Sequence, residues 1–198
     1  KLWADSIDMK TRINWIQKGT PQYETYIIKD PELAYRKYKT ITESANKEIM
    51  RLTTQMGVCR TLRSLPLEKL VAAGVKVYCI APITEKNLEE TIKLSEYCQI
   101  KHIDLSFLRI IIVDNKHLIQ IKTPKTEEDD ILDPLTHFDN MLYSNDDVYV
   151  KNMRDFMQNL WEQGISFENR IQELIKNKKV KINQEQLNKI YQRDTSSI

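Results

Sequence analysis

The sequence predicts an α/β sandwich on a mixed sheet, with helices added at both ends, and three observations predict it. Strand-like and helix-like segments alternate along most of the chain, the pattern of a sheet packed against helices. A helical segment from Leu62 to Ala73 runs into Gly74 and straight on into the β-rich Val75–Ile80. A glycine cap followed at once by a strand is the second half of a βαβ unit, which needs parallel strands. Further on, Leu108–Val113 and His117–Lys122 flank Asp114-Asn115-Lys116, two apolar runs around a tight turn, which makes an antiparallel hairpin.

Each element follows in order. Leu2 to Lys18 carries Leu2, Trp3, Ile7, Ile13, Trp15 and Ile16 and reads as a helix closed by Gly19-Thr20-Pro21. Tyr23–Ile28 alternates β-rich residues and reads as a strand. Asp30 is the cap and Pro31 the first residue of a helix with an apolar stripe at Leu33, Ala34, Tyr38, Ile41, Ala45 and Ile49, running to about Glu48. Ile49–Thr54 reads as the next strand. After the Gly74 junction, Thr84–Cys98 reads as a helix with Thr84 as its cap. Ile100–Asp104 is a strand, followed by the hairpin. Pro124 to Pro134 is loop, with the acidic run Glu127-Glu128-Asp129-Asp130 read as a solvated surface rather than a metal site. Leu142–Asn145 is a short strand or turn. Asp146 or Asp147 caps a helix to about Gln163 with Val150, Met153, Phe156, Met157, Leu160 and Trp161 on one face. Gly164 interrupts it, and a last helix carries Phe167, Ile171, Leu174 and Ile175. Val180–Ile198 is polar and peripheral.

Composition narrows the function. Of 198 residues, 41% are hydrophobic, enough for a core, and the formal net charge of +2 gives no strong field for nucleic acid. The longest apolar run, Ile110–Val113, is far too short for a membrane helix. Nothing resembles a signal peptide, and the first residue, Lys1, suggests a piece of a longer protein. Cys59, Cys79 and Cys98 fit neither a metal site nor a disulfide framework and read as reduced cytoplasmic thiols. Four glycines, in neither phosphate-cradling pattern, exclude a dinucleotide or P-loop site, so no cofactor is expected. His102, His117 and His137 lack metal-ligand spacing, and no serine has a nucleophile-elbow context. The lysines from Lys176 to Lys181 read as a solvated helix end.

The informative stretch is Phe107-Leu108-Arg109-Ile110-Ile111-Ile112-Val113-Asp114-Asn115. It resembles the active-site strand of phospholipase D-type enzymes, H-x-K-x-x-x-x-D, with Phe107 at the histidine, Arg109 at the lysine and Asp114 at the aspartate. Other segments are similar to the phospholipase D-like effector domain of TrmB-type archaeal transcriptional regulators. They are Ile41–Ile49, the Leu67–Val77 helix–strand junction, and Tyr143-Ser144-Asn145-Asp146 with its helix ending in Leu160-Trp161. The resemblance spans about Tyr23 to Trp161 and implies a phospholipase D-like sandwich.

That chemistry needs one imidazole as nucleophile and a second as acid, and Phe107 cannot attack phosphorus. The expectation is therefore a non-catalytic domain that senses a ligand and dimerises. Residues 1–20 would be a linker or dimerisation helix, 21–163 the effector domain and 164–198 a helical extension. DNA would be read by a winged helix absent from this chain. The resemblance implies a homodimer, because single-domain phospholipase D-type proteins pair two such strands across an axis; Trp3 and Trp15 are further candidates for the seam. The candidate ligand residues are Phe107, Arg109, Asp114 and His102, for a small effector that is anionic or a sugar. The bland alternative buries Phe107 in the core and pairs Arg109 with Asp114 or another carboxylate. Two other functions stay open: a divergent phosphodiesterase with His102 or His117 as displaced nucleophile, and a protein–protein scaffold without ligand.

Overall fold

The computed structural model describes residues 23–121, 138, 140–177 and 180. The expected N-terminal helix with Trp3 and Trp15, the acidic run, His137 and the polar tail lie outside the described residues.

Eight strands form one mixed sheet. They are β1 (Thr25–Ile28), β2 (Glu48–Leu52), β3 (Lys76–Ala81), β4 (Gln99–His102), β5 (Arg109–Val113), β6 (His117–Ile121), β7 (Met141–Ser144) and β8 (Ile165–Ser166), in the order β1-β7-β6-β5-β2-β3-β4-β8. β2, β3 and β4 are parallel, and every other pairing is antiparallel. The expected βαβ unit and hairpin are therefore both present and share β2 as a neighbour. At the hairpin, Asp114 and Asn115 have φ of 53° and 55°. These left-handed values are tolerated by Asp and Asn and match the twist of the flanking strands.

The helices are α1 (Pro31–Glu43), α2 (Gln55–Ser64), α3 (Leu67–Ala72), α4 (Leu88–Leu94), α5 (Asp147–Gln163) and α6 (Phe167–Lys176). Alternation along each strand sends side chains to two faces. On one face Ile49, Val77, Cys79, Ile111, Val113 and Ile119 pack with Ala34, Tyr38 and Ile41 of α1, Val58 of α2, Leu70 of α3, Leu94 of α4 and Ile171 of α6. On the other, Met50, Leu52, Ile80, Ile110, Ile112 and Leu118 meet Val150 and Met157 of α5. Among the described residues, five helices cover one face and one long helix the other. The central strands are buried on both sides, which explains the unbroken Ile110–Val113 run.

Several expected boundaries shift. The expected helix Leu62–Ala73 is two helices, because Pro66 forces Leu65 into extended backbone (φ −106°, ψ 136°). α2 begins seven residues earlier than that, behind Thr54, whose hydroxyl accepts from the Gly57 amide. α1 stops at Glu43. The helix expected from Thr84 starts at Leu88, and the stretch before it is a turn in which the Thr84 amide donates to Asn87 Oδ1. Asp30, Asp146 and Ser166 cap α1, α5 and α6 through side-chain oxygens. The expected end of the sandwich at residue 163 falls between α5 and β8. Residues beyond it join the same sheet and core, with Phe167, Ile171 and Leu174 buried.

Candidate ligand-binding edge

The sheet has two ends. The upper edge carries the carboxyl ends of β2, β3 and β4 and the start of β5, since Leu52 pairs with Ile110 and Ala81 with His102. The lower edge carries Glu48, the Asp114 turn and His117. Phe107, Arg109 and His102 stand at the upper edge and Asp114 at the lower. Arg109 and Asp114 are separated by the length of β5, about 17 Å at the usual rise. His102 lies three strands from Arg109, about 14 Å across the sheet. The four candidate residues thus share one sheet without sharing one pocket.

Asp114 organises its own end of the fold. Its Oδ1 accepts from the amides of Lys47 (2.8 Å) and Glu48 (2.9 Å), and its Oδ2 from the Asn46 amide (2.9 Å). One side chain thereby fixes the loop that enters β2. Burial pushes the carboxyl up, but the three amide bonds, helped by nearby Lys116, outweigh it and hold the group below its usual value.

Phe107 is 67% exposed. The reading that placed it in the core is corrected: it lies two residues ahead of β5 and is exposed. Arg109 is 6% exposed. It falls on the same face of β5 as Ile111 and Val113, so it points beneath the five-helix layer rather than out of the edge.

His102 is 8% exposed, and its Nδ1 accepts from the Ile83 amide at 2.9 Å. Arg170 of α6 donates to the Ile83 carbonyl at 3.1 Å. Burial, then the positive Arg170, push the His102 imidazole below its ordinary value, in the direction that suits Nδ1 as the acceptor of the Ile83 amide. His117 shares a 3.0 Å hydrogen bond with Tyr143 at the lower edge. The two imidazoles lie four strands apart, about 19 Å across the sheet, at opposite edges.

One residue at this edge escaped the sequence reading. Arg51, next to the carboxyl end of central strand β2, is 4% exposed. Its Nη1 donates to the Tyr38 hydroxyl at 3.1 Å, and that hydroxyl bonds Ser64 Oγ at 2.9 Å. Its Nε is buried with no hydrogen-bond partner among the described residues. Arg51 pairs with Ile111, two residues from Arg109 on the same face, so the two arginines are diagonal neighbours, about 7–8 Å apart along the backbone. A three-residue group of histidines, cysteines and carboxylates able to hold a metal does not occur among the described residues.

No protein-family model matches the sequence, and no curated protein matches it. Solved structures do. TrmBL2, an archaeal chromatin protein with a novel mode of DNA binding, superposes with a TM-score of 0.51 at 15% identity over 83% of this chain and 66% of its own. NucT from Helicobacter pylori gives 0.56 at 13% identity over 74% of this chain and 99% of its own. Nuc from Salmonella typhimurium, a phospholipase D family member, gives 0.52 at 15% over the same shares. The fold is the phospholipase D-like α/β fold. The matched part spans just under two thirds of TrmBL2 and nearly all of the other two proteins. No described helix is long and apolar enough to cross a membrane.

Proposed function

We propose that this is a non-catalytic, ligand-sensing and dimerisation domain of a TrmB-like transcriptional regulator, acting on DNA through a winged helix outside these residues. The observation that carries the reading is Phe107. A phenyl ring stands where phospholipase D-type chemistry needs an imidazole nucleophile, and it projects from the upper edge instead of lining a site. The described histidines are placed against the phosphodiesterase alternative as well. His102 and His117 sit at opposite edges, each engaged in a hydrogen bond, so one chain does not bring them together on a phosphate.

The fold shared with TrmBL2 supports a regulatory role, and exposed Phe107 is the kind of aromatic anchor that interfaces use. In such a regulator the effector acts by binding two arrangements of the dimer unequally, which changes the spacing of the DNA-reading heads. A cytoplasmic setting accords with the free thiols.

The test combines light scattering with a phosphodiesterase assay on bis-p-nitrophenyl phosphate and on DNA. The expected result is a dimer with no hydrolysis above buffer. Hydrolysis that disappears in His102→Ala or His117→Ala would instead establish the divergent enzyme, and a monomer would remove the dimerisation role.

A further inference from the structure

A guanidinium carries its charge into the interior, and a buried charge without a partner costs several kcal/mol. Arg51 is nine-tenths buried in a central strand. Among the described residues it has no carboxylate within ion-pair distance, and one hydrogen bond, to Tyr38, engages its Nη1 side. The Nε edge, the side of the fork suited to two parallel bonds with a carboxylate or phosphate, has no acceptor among those residues. Its field also reaches the thiols of Cys79 and Cys98. Cys79 lies directly beside it on β3, and burial pushes that thiol up to about 11 while Arg51 pulls the other way.

The surroundings suit an anion. Arg109 supplies a second buried guanidinium on the same face, diagonal to Arg51 across β2 and β5. Tyr38 and Ser64 add hydroxyls, already joined to Arg51 in one chain of hydrogen bonds. Arg60 stands one helical turn before Ser64 on α2 and so shares its side of the helix. All of this lies beneath α1 and α2, near the upper edge.

We infer that Arg51 and Arg109 hold a small anion, the terminal phosphate or carboxylate group of a metabolite, with Tyr38 and Ser64 as hydroxyl partners. Burial decides the size class. A residue 4% exposed cannot be reached by the backbone of a nucleic-acid duplex, which leaves a small anion as the class of ligand. The inference deepens the ligand-sensing reading and moves its ligand from the exposed edge at Phe107 to the face beneath the helices.

The test is a thermal melt of the wild-type chain against inorganic phosphate and, separately, malonate, with chloride holding ionic strength constant. Site binding raises Tm by roughly 5–10 °C at a hundredfold excess over Kd. The more effective of the two anions separates a phosphate ligand from a carboxylate one. Phosphate also stabilises proteins generally by exclusion from their surface, so the deciding comparison is Arg51→Met. The shift is expected to vanish in Arg51→Met and to be reduced in Arg51→Lys. Should Arg51→Met fail to fold, the Arg51 Nε–H resonance in the wild type reads the same event and is expected to move on titration. An equal Tm shift in wild type and Arg51→Met, or an Nε–H signal unmoved by both anions, overturns the site. Those outcomes leave the dimer and the absence of hydrolysis standing; hydrolysis or a monomer would sink the regulatory reading without touching the anion site.

Discussion

The two edges of the sheet handle buried polarity in opposite ways. At the lower edge every charged group that matters has its complement. Asp114 receives three amides, Arg154 of α5 meets Glu48 at 3.2 Å and Asn115 at 3.0 Å, and His117 is bonded to Tyr143. Near the upper edge, Arg51 is more deeply buried than any of these charged groups and still has an Nε without an acceptor among the described residues. Saturated hydrogen bonding marks a site that holds the chain together. Unfilled capacity at equal or greater burial marks a place where the fold waits for something else.

The contrast can be broken from the lower edge first, where the largest effect is expected. Asp114→Ala removes an acceptor from three amides and places a Cβ-only residue at φ 53°, which together should lower stability by about 2–4 kcal/mol. Asp114→Asn keeps the turn and should lose about half as much. Urea unfolding measures both. A loss below about 0.5 kcal/mol in Asp114→Ala would mean that water replaces the carboxylate without penalty. Neither change should alter the anion response assigned to Arg51.

A middle-sized effect comes from pH. Burial pushes His102 and His117 below their ordinary values, assisted by Arg170 at the first and Lys37 at the second. The unfolded chain takes up these protons at about pH 6.5 and the folded chain only at lower pH. The unfolded state therefore binds more protons in that window, and stability should fall as pH drops below about 6.5. His102→Gln should flatten part of the fall. A difference between wild type and His102→Gln that stays constant from about pH 8 to about pH 5 would exclude His102 as a source.

The smallest effect is expected at Phe107. Phe107→Ser should change stability by less than about 0.5 kcal/mol, as at an ordinary surface position. A loss of several kcal/mol in chemical unfolding of the monomeric state would show that the ring packs after all.

What the sequence disclosed follows from where local rules dominate. The Asp30-Pro31 start, the Gly74 junction (φ 81°) and the Asp114-Asn115 turn are fixed by the conformations those residues accept, and each is where it was expected. α2 was partly invisible because Gly57 within it looks like a helix breaker. Its reason is tertiary: a Cβ there would meet Thr53 Oγ1 at 1.8 Å. β8 is two residues whose only cause is the exposed edge of β4. Arg51 was missed for the most instructive reason. Ile-Met-Arg-Leu is three apolar residues around one arginine, but β2 lies between β5 and β3 with helices on both faces, so all four of these positions are buried. The phospholipase D-like pattern singled out Phe107, Arg109 and Asp114, which lie on and around β5. It could not reveal that the strand's two ends serve different edges, because that depends on where its neighbours lie.

The sheet order also sets a timetable for synthesis. β1, near the start of the described chain, pairs only with β7, and Thr25 meets a serine 119 residues later. At about 5–20 residues per second, roughly 6–24 s separate the emergence of the two partners. Throughout that interval Tyr26 and Ile28 have no partner strand, while the β5–β6 hairpin can close as soon as Ile121 has left the ribosome. The first of the eight strands to be made must wait for the seventh before it has a neighbour.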